Sequence, residues 1–469
     1  MLIRGAEVWQ RGIADVRIRA GKIAAIGHLI AEPGEQLVEA EGGALLPGLH
    51  DHHIHLTASA ARAASIVCGP PEVTHAQDLA ARLSAPGTGW LRGILYHDSV
   101  MDLPDAKALD ELAPHRPVRI QHRSGRMWLL NSRALDLLLA NAAPPPGLER
   151  AGGRFTGRLF DEDAWMQSAM ASQPPSLAHV SAELSRYGVT GVTDMSPRND
   201  PIIVEFFAQQ VASGSLLQHC TLAGSLALAD APPSPHWRLG PAKLHLHESA
   251  LPDFDETVAF IAAAHAQGRG LASHCTTETE LVFTLAALDA AGPLRGDRIE
   301  HAGIARDDHI AMIAALGLAV VSQPHFIAER GDQYLADVEP NLHPALYRLR
   351  SFIAAGVPLA AGSDAPFGSL DPWEAMAAAV SRRTGSGQIM QADEALTPEQ
   401  ALSLYLADPA DLTRQRHIAV GEPADLCLLA CPWSEARDRL GSADVAATFV
   451  AGRAIGNRID QPPIERQPR

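Results

Sequence analysis

The sequence predicts an α/β protein: a (β/α)8 TIM barrel with a small β-sandwich assembled from the two chain ends. Three observations carry that expectation. Strand-like runs alternate with helical ones from residue 188 to 364, the pattern of a parallel α/β sheet. With an opening strand near residue 50 the runs number eight, as a closed barrel requires. Both chain ends instead carry short alternating segments punctuated by glycine.

At the start, residues 2–4, 14–18 and 22–26 alternate apolar and polar side chains, with Gly5, Gly21, Gly27 and Gly34 as turns. Residues 424–429 and 445–453 read the same way. Neither end has enough strands for a stable sheet of its own. Residues 1–46 and 415–457 are therefore expected to form one composite sandwich around a barrel at 47–414. The Pro- and Arg-rich stretch 458–469 is expected to be a tail.

The opening barrel strand lies in Leu45-Leu46-Pro47-Gly48-Leu49-His50-Asp51-His52-His53-Ile54-His55-Leu56. Apolar residues run into a Pro-Gly corner, and four histidines and an aspartate then fill five of the next six positions after Leu49. Strand alternation puts Asp51, His53 and His55 on one face and His50, His52 and Ile54 on the other. Two imidazoles two residues apart on one face can grip one metal ion. The remaining strands are expected at 188–194, 217–223, 242–247, 270–275, 298–301, 319–323 and 358–364, with helices such as 256–266 and 278–291 between them. Residues 60–180 break the alternation and read as an insertion, with strand candidates at 90–96 and 118–122 and the cluster Pro144-Pro145-Pro146. A late helix begins at Thr397, with Pro398 at its first position and Gln400 completing a capping box.

Composition narrows the function. The chain has 469 residues, 46% of them apolar, so a large core is available. Its 38 basic and 54 acidic residues give a net charge of −16, which argues against nucleic acid or an anionic membrane as partner. The longest apolar run, 310–321, has 12 residues and is too short to span a bilayer. Five scattered cysteines without a CxxC pair, and a start without a signal-peptide pattern, fit a reducing cytoplasm. A small-molecule substrate is the expected partner, and a homo-oligomer is compatible with the sequence.

Five of the expected strands end in residues that can bind metal. The first ends in His53 and His55. The fourth carries Lys243, then His245 and His247. The fifth ends in His274, the sixth in His301 and the eighth in Asp364. In a barrel the C-terminal strand ends converge on one mouth, so these distant residues meet. An ammonium beside two dications is strongly repelled, so Lys243 there would be neutral. A neutral amine reacts with CO2 to give a carbamate, whose two oxygens can bridge two ions.

Those residues bring out a resemblance. Pro47-Gly48-Leu49-His50-Asp51-His52-His53-Ile54-His55 matches the PGxxDxHxH pattern of the amidohydrolase superfamily, and Gly421-Glu422-Pro423-Ala424-Asp425-Leu426 its C-terminal GxxADL. Leu103-Pro104, Leu109-Asp110 and Trp128-Leu129-Leu130-Asn131-Ser132-Arg133-Ala134-Leu135 match patterns in the insertion of its YtcJ-like branch, amidohydrolase family 3. The resemblance covers residues 2 to 455. It implies two divalent ions, zinc by expectation. His53 and His55 would hold the more buried ion, His274 and His301 the more exposed one, and carboxylated Lys243 would bridge them. Asp364 would bind the first ion and shuttle the proton while a metal-bridging hydroxide attacks the substrate.

The implied activity is hydrolysis of a non-peptide C–N bond, with an amide or N-acyl compound the first choice. The alternatives are a deaminase of an amidine-like or heterocyclic substrate, against which Lys243 counts, and a non-catalytic scaffold, against which Asp364 counts. Many branch members have Gly-His where this chain has Gly125-Arg126, and often Asp where it has His247. Arg126 is thus a candidate for a substrate carboxylate, and His247 and His325 are candidates for the pocket. His245, His97 and His122 stand behind them. Asp51 reads as a supporting group, and Arg382 and Arg383 as solvated cations near a helix C-terminus.

Overall fold

The computed structural model describes residues 1–84, 86–87, 89–170 and 174–455. The expected tail, 458–469, lies outside the described residues. The chain divides into two compact units, one of residues 1–56 with 177 onward and one of residues 57–176.

The first unit holds the barrel. Its strands are β1 (Leu49–Ile54), β2 (Val189–Asp194), β3 (His219–Gly224), β4 (Arg238–Leu244), β5 (Leu271–Cys275), β6 (Arg298–His301), β7 (Ala319–Ser322) and β8 (Leu359–Ala361). They form one eight-stranded sheet in sequence order, every neighbouring pair parallel. The ladder does not run from β8 to β1, and the seam there closes through the loops. Asp364 donates its N–H to the His53 carbonyl at 2.6 Å, and His55 donates to Ala365 at 2.9 Å. The Asp51 carboxylate accepts the N–H of His53 and of Ser363, each at 3.0 Å. At Gly362 the two chains approach so closely that a Cβ would stand 2.3 Å from the His53 nitrogen.

Helix 278–291 is observed as Glu278–Ala291. It begins on a Thr277/Glu280 capping box and buries Leu281, Leu285 and Leu288. The late helix is Pro398–Ser403 with the expected Thr397/Gln400 box. The apolar run 310–321 splits into helix Asp307–Ala315 and strand β7. No helix among the described residues is long and apolar enough to cross a membrane, and none of the five cysteines is in a disulfide.

Two local expectations need correction. Strand 242–247 is displaced: β4 runs from Arg238 to Leu244, so His245 and His247 lie beyond it. The expected strand began only after Gly240-Pro241. The sheet accommodates that pair at an irregularity in the β3–β4 ladder, between Leu222/Leu239 and Gly224/Ala242. Arg382 is not solvated but 0% exposed. Its backbone is left-handed at the end of helix Pro372–Ser381. That turns the guanidinium inward, to donate to the carbonyls of Tyr347, Leu346 and Met390 and to the Gln391 side chain.

Both chain ends contribute to one continuous sheet. Its order is Arg453–Ile455, Val445–Val450, Leu426–Leu429, Ala44–Pro47, Leu2–Val8, Gly12–Arg19 and Lys22–Gly27, with Leu37–Glu39 also paired to Leu2–Val8. Ile3, Val16, Ile18, Leu45, Leu426 and Phe449 pack in its core. Strand Ala44–Pro47 runs through Gly48 directly into β1, so this sheet anchors the histidine strand from behind.

The 57–176 unit has its own six-stranded sheet. Its signature residues are architectural. Asn131 caps helix Ser132–Asn141 and accepts the N–H of Ala134 and Val118, while its amide donates to Ala113 and Arg116. Asp110 accepts the Ser132 N–H at 3.0 Å.

Because Gly362 has no room for a side chain, Gly362→Ala should force the β8–β1 seam apart. Overpacking of this kind costs about 1–3 kcal/mol, so urea denaturation of the variant should show a lowered midpoint. An unchanged midpoint would mean that the seam yields freely.

Candidate active site

The histidine strand is not a perfectly regular one. Asp51 pairs with Val192 and Ile54 with Asp194, so one extra residue bulges at His52 and His53. The two faces survive the bulge. The rings of His50 and His52 lie 4.5 Å apart and those of His53 and His55 5.3 Å apart.

His53 and His55 converge on Asp364. The Nε2 atoms lie 3.3 Å and 3.2 Å from the same oxygen, Asp364 Oδ1. His301 joins from β6, its ring 4.8 Å from that of His53. The ligand atoms of His53, His301 and Asp364 all lie within 4.8 Å of one another, with all three residues buried. The His274 ring follows, 4.6 Å from His301. Lys243 is also buried, and its Nζ has no hydrogen-bond partner. His301 Nε2 is equally unpartnered. Buried polar atoms are almost always satisfied, so two such atoms beside three convergent ligands point to a group that belongs there.

The supporting contacts fix which nitrogen faces inward. His53 Nδ1 lies 2.5 Å from Glu300 Oε2, and Glu300 Oε1 accepts from Arg298 Nε at 2.5 Å. Arg298 also donates to the His52 carbonyl at 2.9 Å. His301 Nδ1 donates to Gln323 Oε1 at 2.7 Å. His55 Nδ1 lies 3.3 Å from Ser196 Oγ. Nδ1 is engaged in each case, so Nε2 is the atom left for the centre. Sequence reasoning gave no role to Glu300, Gln323, Arg298 or Ser196. Glu300 stood in view beside His301 on its strand, but nothing in the sequence shows that its carboxylate crosses the barrel to His53.

The electrostatics suit lone-pair donors. Burial, His301 and Lys243 push the His274 imidazole down to about 2. Burial likewise takes His301 to about 3 despite Asp364 nearby. Burial also lowers Lys243, which favours its neutral amine. Asp364 is pushed up by burial, but its bonds to His53 and His55 hold it well below the usual carboxylate range. His53 goes the other way: burial and Lys243 lower it, and Glu300 and Asp364 together outweigh them. His301 and Asp364 have φ of 69° and 51°, a left-handed backbone that costs of order 1–3 kcal/mol for non-glycine residues and gathers at functional sites.

The other expected site residues lie differently. Arg126 belongs to the 57–176 unit, where its fork is filled by Asp161 at 2.9 and 2.7 Å and its side chain is 76% exposed. His97 and His122 stack in that same unit, with Asp98 Oδ1 3.2 Å from His122 Nε2. His325 is buried, with Nε2 bonded to the Ser363 carbonyl at 3.0 Å, so it braces the segment carrying Asp364. His245 and His247 are exposed. A cavity of about 470 Å³ opens at the N-terminal strand ends, among Arg238, Arg269, Asp297 and Leu412, and contains none of the candidate ligands.

Comparison with known proteins then decides the family, since residues 36–455 match the model of the amidohydrolase family. The chain belongs to that family. It is 26% identical to an N-substituted formamide deformylase of Arthrobacter pascens, over 93% of this chain and 94% of the relative. It is 23% identical to the putative amidohydrolase YtcJ of Bacillus subtilis, over 90% and 91%. Among solved structures, an uncharacterized metal-dependent hydrolase of Pyrococcus horikoshii superposes with a TM-score of 0.76 at 19% identity, covering 92% of this chain and 97% of that one. The resemblance read from the PGxxDxHxH segment is borne out, as is the barrel. This amidohydrolase is a hydrolase acting on carbon–nitrogen bonds, of a metal-dependent family, and carries a His/His/Asp group able to bind metal.

Glu300→Gln keeps the shape of the side chain but removes the charge behind His53. Loss of such a support typically costs 10–100-fold in metal affinity. Competition against a chelator should show a drop of about that size, and wild-type affinity would rule out a positioning role for Glu300.

Proposed function

We propose that the chain hydrolyses the amide or N-acyl bond of a small molecule, using two divalent cations, zinc by preference. The observation that carries this reading is the meeting of His53 Nε2 and His55 Nε2 at Asp364 Oδ1, beside the unpartnered His301 Nε2 and Lys243 Nζ. The donor set of imidazoles and a carboxylate suits zinc. His53, His55 and Asp364 would hold one ion, and His274 and His301 the other. Bound divalent ions would lower the pKa of water to near neutrality and polarise the substrate carbonyl.

Lys243 completes the set if it carries a carbamate. Its neutral Nζ attacks CO2, an N–C bond forms as a C=O π bond opens and one proton leaves, so a buried neutral amine becomes an anion with two oxygens. Asp364, kept anionic by the flanking imidazoles, accepts the proton of the attacking water and returns it to the leaving nitrogen. Glu300 and Gln323 hold the His53 and His301 rings while this happens. The amide preference is supported by the formamide deformylase relative and by Lys243, which a one-metal deaminase would not need.

Metal analysis of the unchelated protein should find close to two zinc ions in the inner centre, and a metal-free but folded protein would refute the reading. Lys243→Ala should lower amide hydrolysis by roughly two orders of magnitude. Short carboxylic acids should restore part of it by supplying the missing oxygens. Full activity in Lys243→Ala would leave the lysine structural. A screen of N-formyl and N-acyl amines should release free amine, whereas ammonia release from amidine heterocycles alone would favour the deaminase.

A further inference from the structure

The imidazoles do not stop at the proposed centre. Beyond the end of β4, His245 and His247 stand two residues apart, His247 with extended backbone (φ −136°, ψ 122°). Extended backbone returns alternate side chains to one face, and their rings lie 4.7 Å apart. That spacing matches those inside the centre, 4.6 Å for His274–His301 and 5.3 Å for His53–His55. His245 also stacks on His274 at 4.6 Å, with the planes 11° apart. The result is an unbroken row of six rings, His247, His245, His274, His301, His53 and His55, running from an exposed end through the buried His301 and His53 to the half-buried His55.

Neither outer ring makes a hydrogen bond or ion pair among the described residues, unlike His53, His55 and His301, whose Nδ1 atoms are held. Exposed, unengaged imidazoles two residues apart form a minimal chelating pair for a divalent transition metal. With only two protein ligands, the remaining positions would be filled by water and the ion would be weakly held. Weak binding is what an entry point needs, because the ion must leave it again.

We propose that His245 and His247 form a further, outer cation site where a divalent metal ion first lands before passing along the row to the buried group. The proposal rests on the metal-binding reading above. Chelator-stripped protein is titrated with zinc by calorimetry, and its loading is followed by stopped flow with a zinc-sensitive dye. The wild type is compared with His245→Ala/His247→Ala and with His245→Asn/His247→Asn, and circular dichroism confirms that each is folded. The wild type should take up one more zinc ion than either variant, more weakly than the rest, and the variants should load their inner ions about tenfold more slowly. Equal stoichiometry in all three overturns the outer site, whatever the rates. Loss of the outer ion with unchanged inner loading overturns its role as landing point. A wild type that takes up no zinc overturns the inner centre as well, and so separates that failure from this one.

Discussion

The structure depends on how the barrel closes. β1 and β8 share no ladder, yet His53, His55 and Asp364 of the proposed centre sit where they meet. One buried carboxylate, Asp51, accepts the backbone N–H of both His53 and Ser363. It thereby ties the chain carrying the HxH pair to the chain carrying Asp364. The reciprocal backbone bonds from Asp364 to His53 and from His55 to Ala365 lock the same register. The HxH pair and Asp364, brought together across the 312-residue Asp51–Ser363 bond, are thus held by backbone geometry and not by side-chain chance. Preorganisation of this kind is what a metal-assisted hydrolase needs, since misplaced ligands cost rate directly.

The same closure explains the unusual electrostatics. Excluding water from the mouth makes protonated imidazoles expensive, and His274 and His301 are accordingly driven neutral. Two carboxylates survive there because each has partners: Glu300 has Arg298 and His53, and Asp364 has His53 and His55. The site is a balance between burial, which strips charge, and a few short contacts, which keep it where it is useful. The left-handed backbones of His301 and Asp364 indicate that the fold holds these side chains against local preference.

Much of this was legible in the sequence. Alternation of strand and helix gave the barrel, and polar residues at strand ends gave the candidate ligands, because both signals are local and repeat. Position 382 was misread because a left-handed turn that buries an arginine looks, in sequence, like a helix end with a cation. Gly240-Pro241 hid four residues of β4, because a proline tolerated at a ladder irregularity has the same signature as one that ends a strand. The Glu300–His53 contact was invisible for a different reason. It joins β6 to β1, strands that share no ladder, across 247 residues, and no local pattern records such a contact. Arg126 drew attention as a departure from its relatives, but a neighbour's carboxylate, Asp161, accounts for its charge.

The sheet shared by the chain ends has a consequence for synthesis. Strand Ala44–Pro47, which leads straight into the histidine strand, pairs on one side with Leu426–Leu429, with Pro47 opposite Leu426. At about 5–20 residues per second, that partner leaves the ribosome roughly 20–80 s after the strand it completes. Until then the most histidine-rich segment of the chain is flanked by an unsatisfied sheet edge, and β8, its other neighbour, emerges almost as late. Long-range pairings of this kind fold slowly. The centre is therefore among the last parts of the molecule to be assembled, and a nascent chain stalled after Asp364 but before Leu426 has every candidate ligand but lacks the strand that steadies the first two.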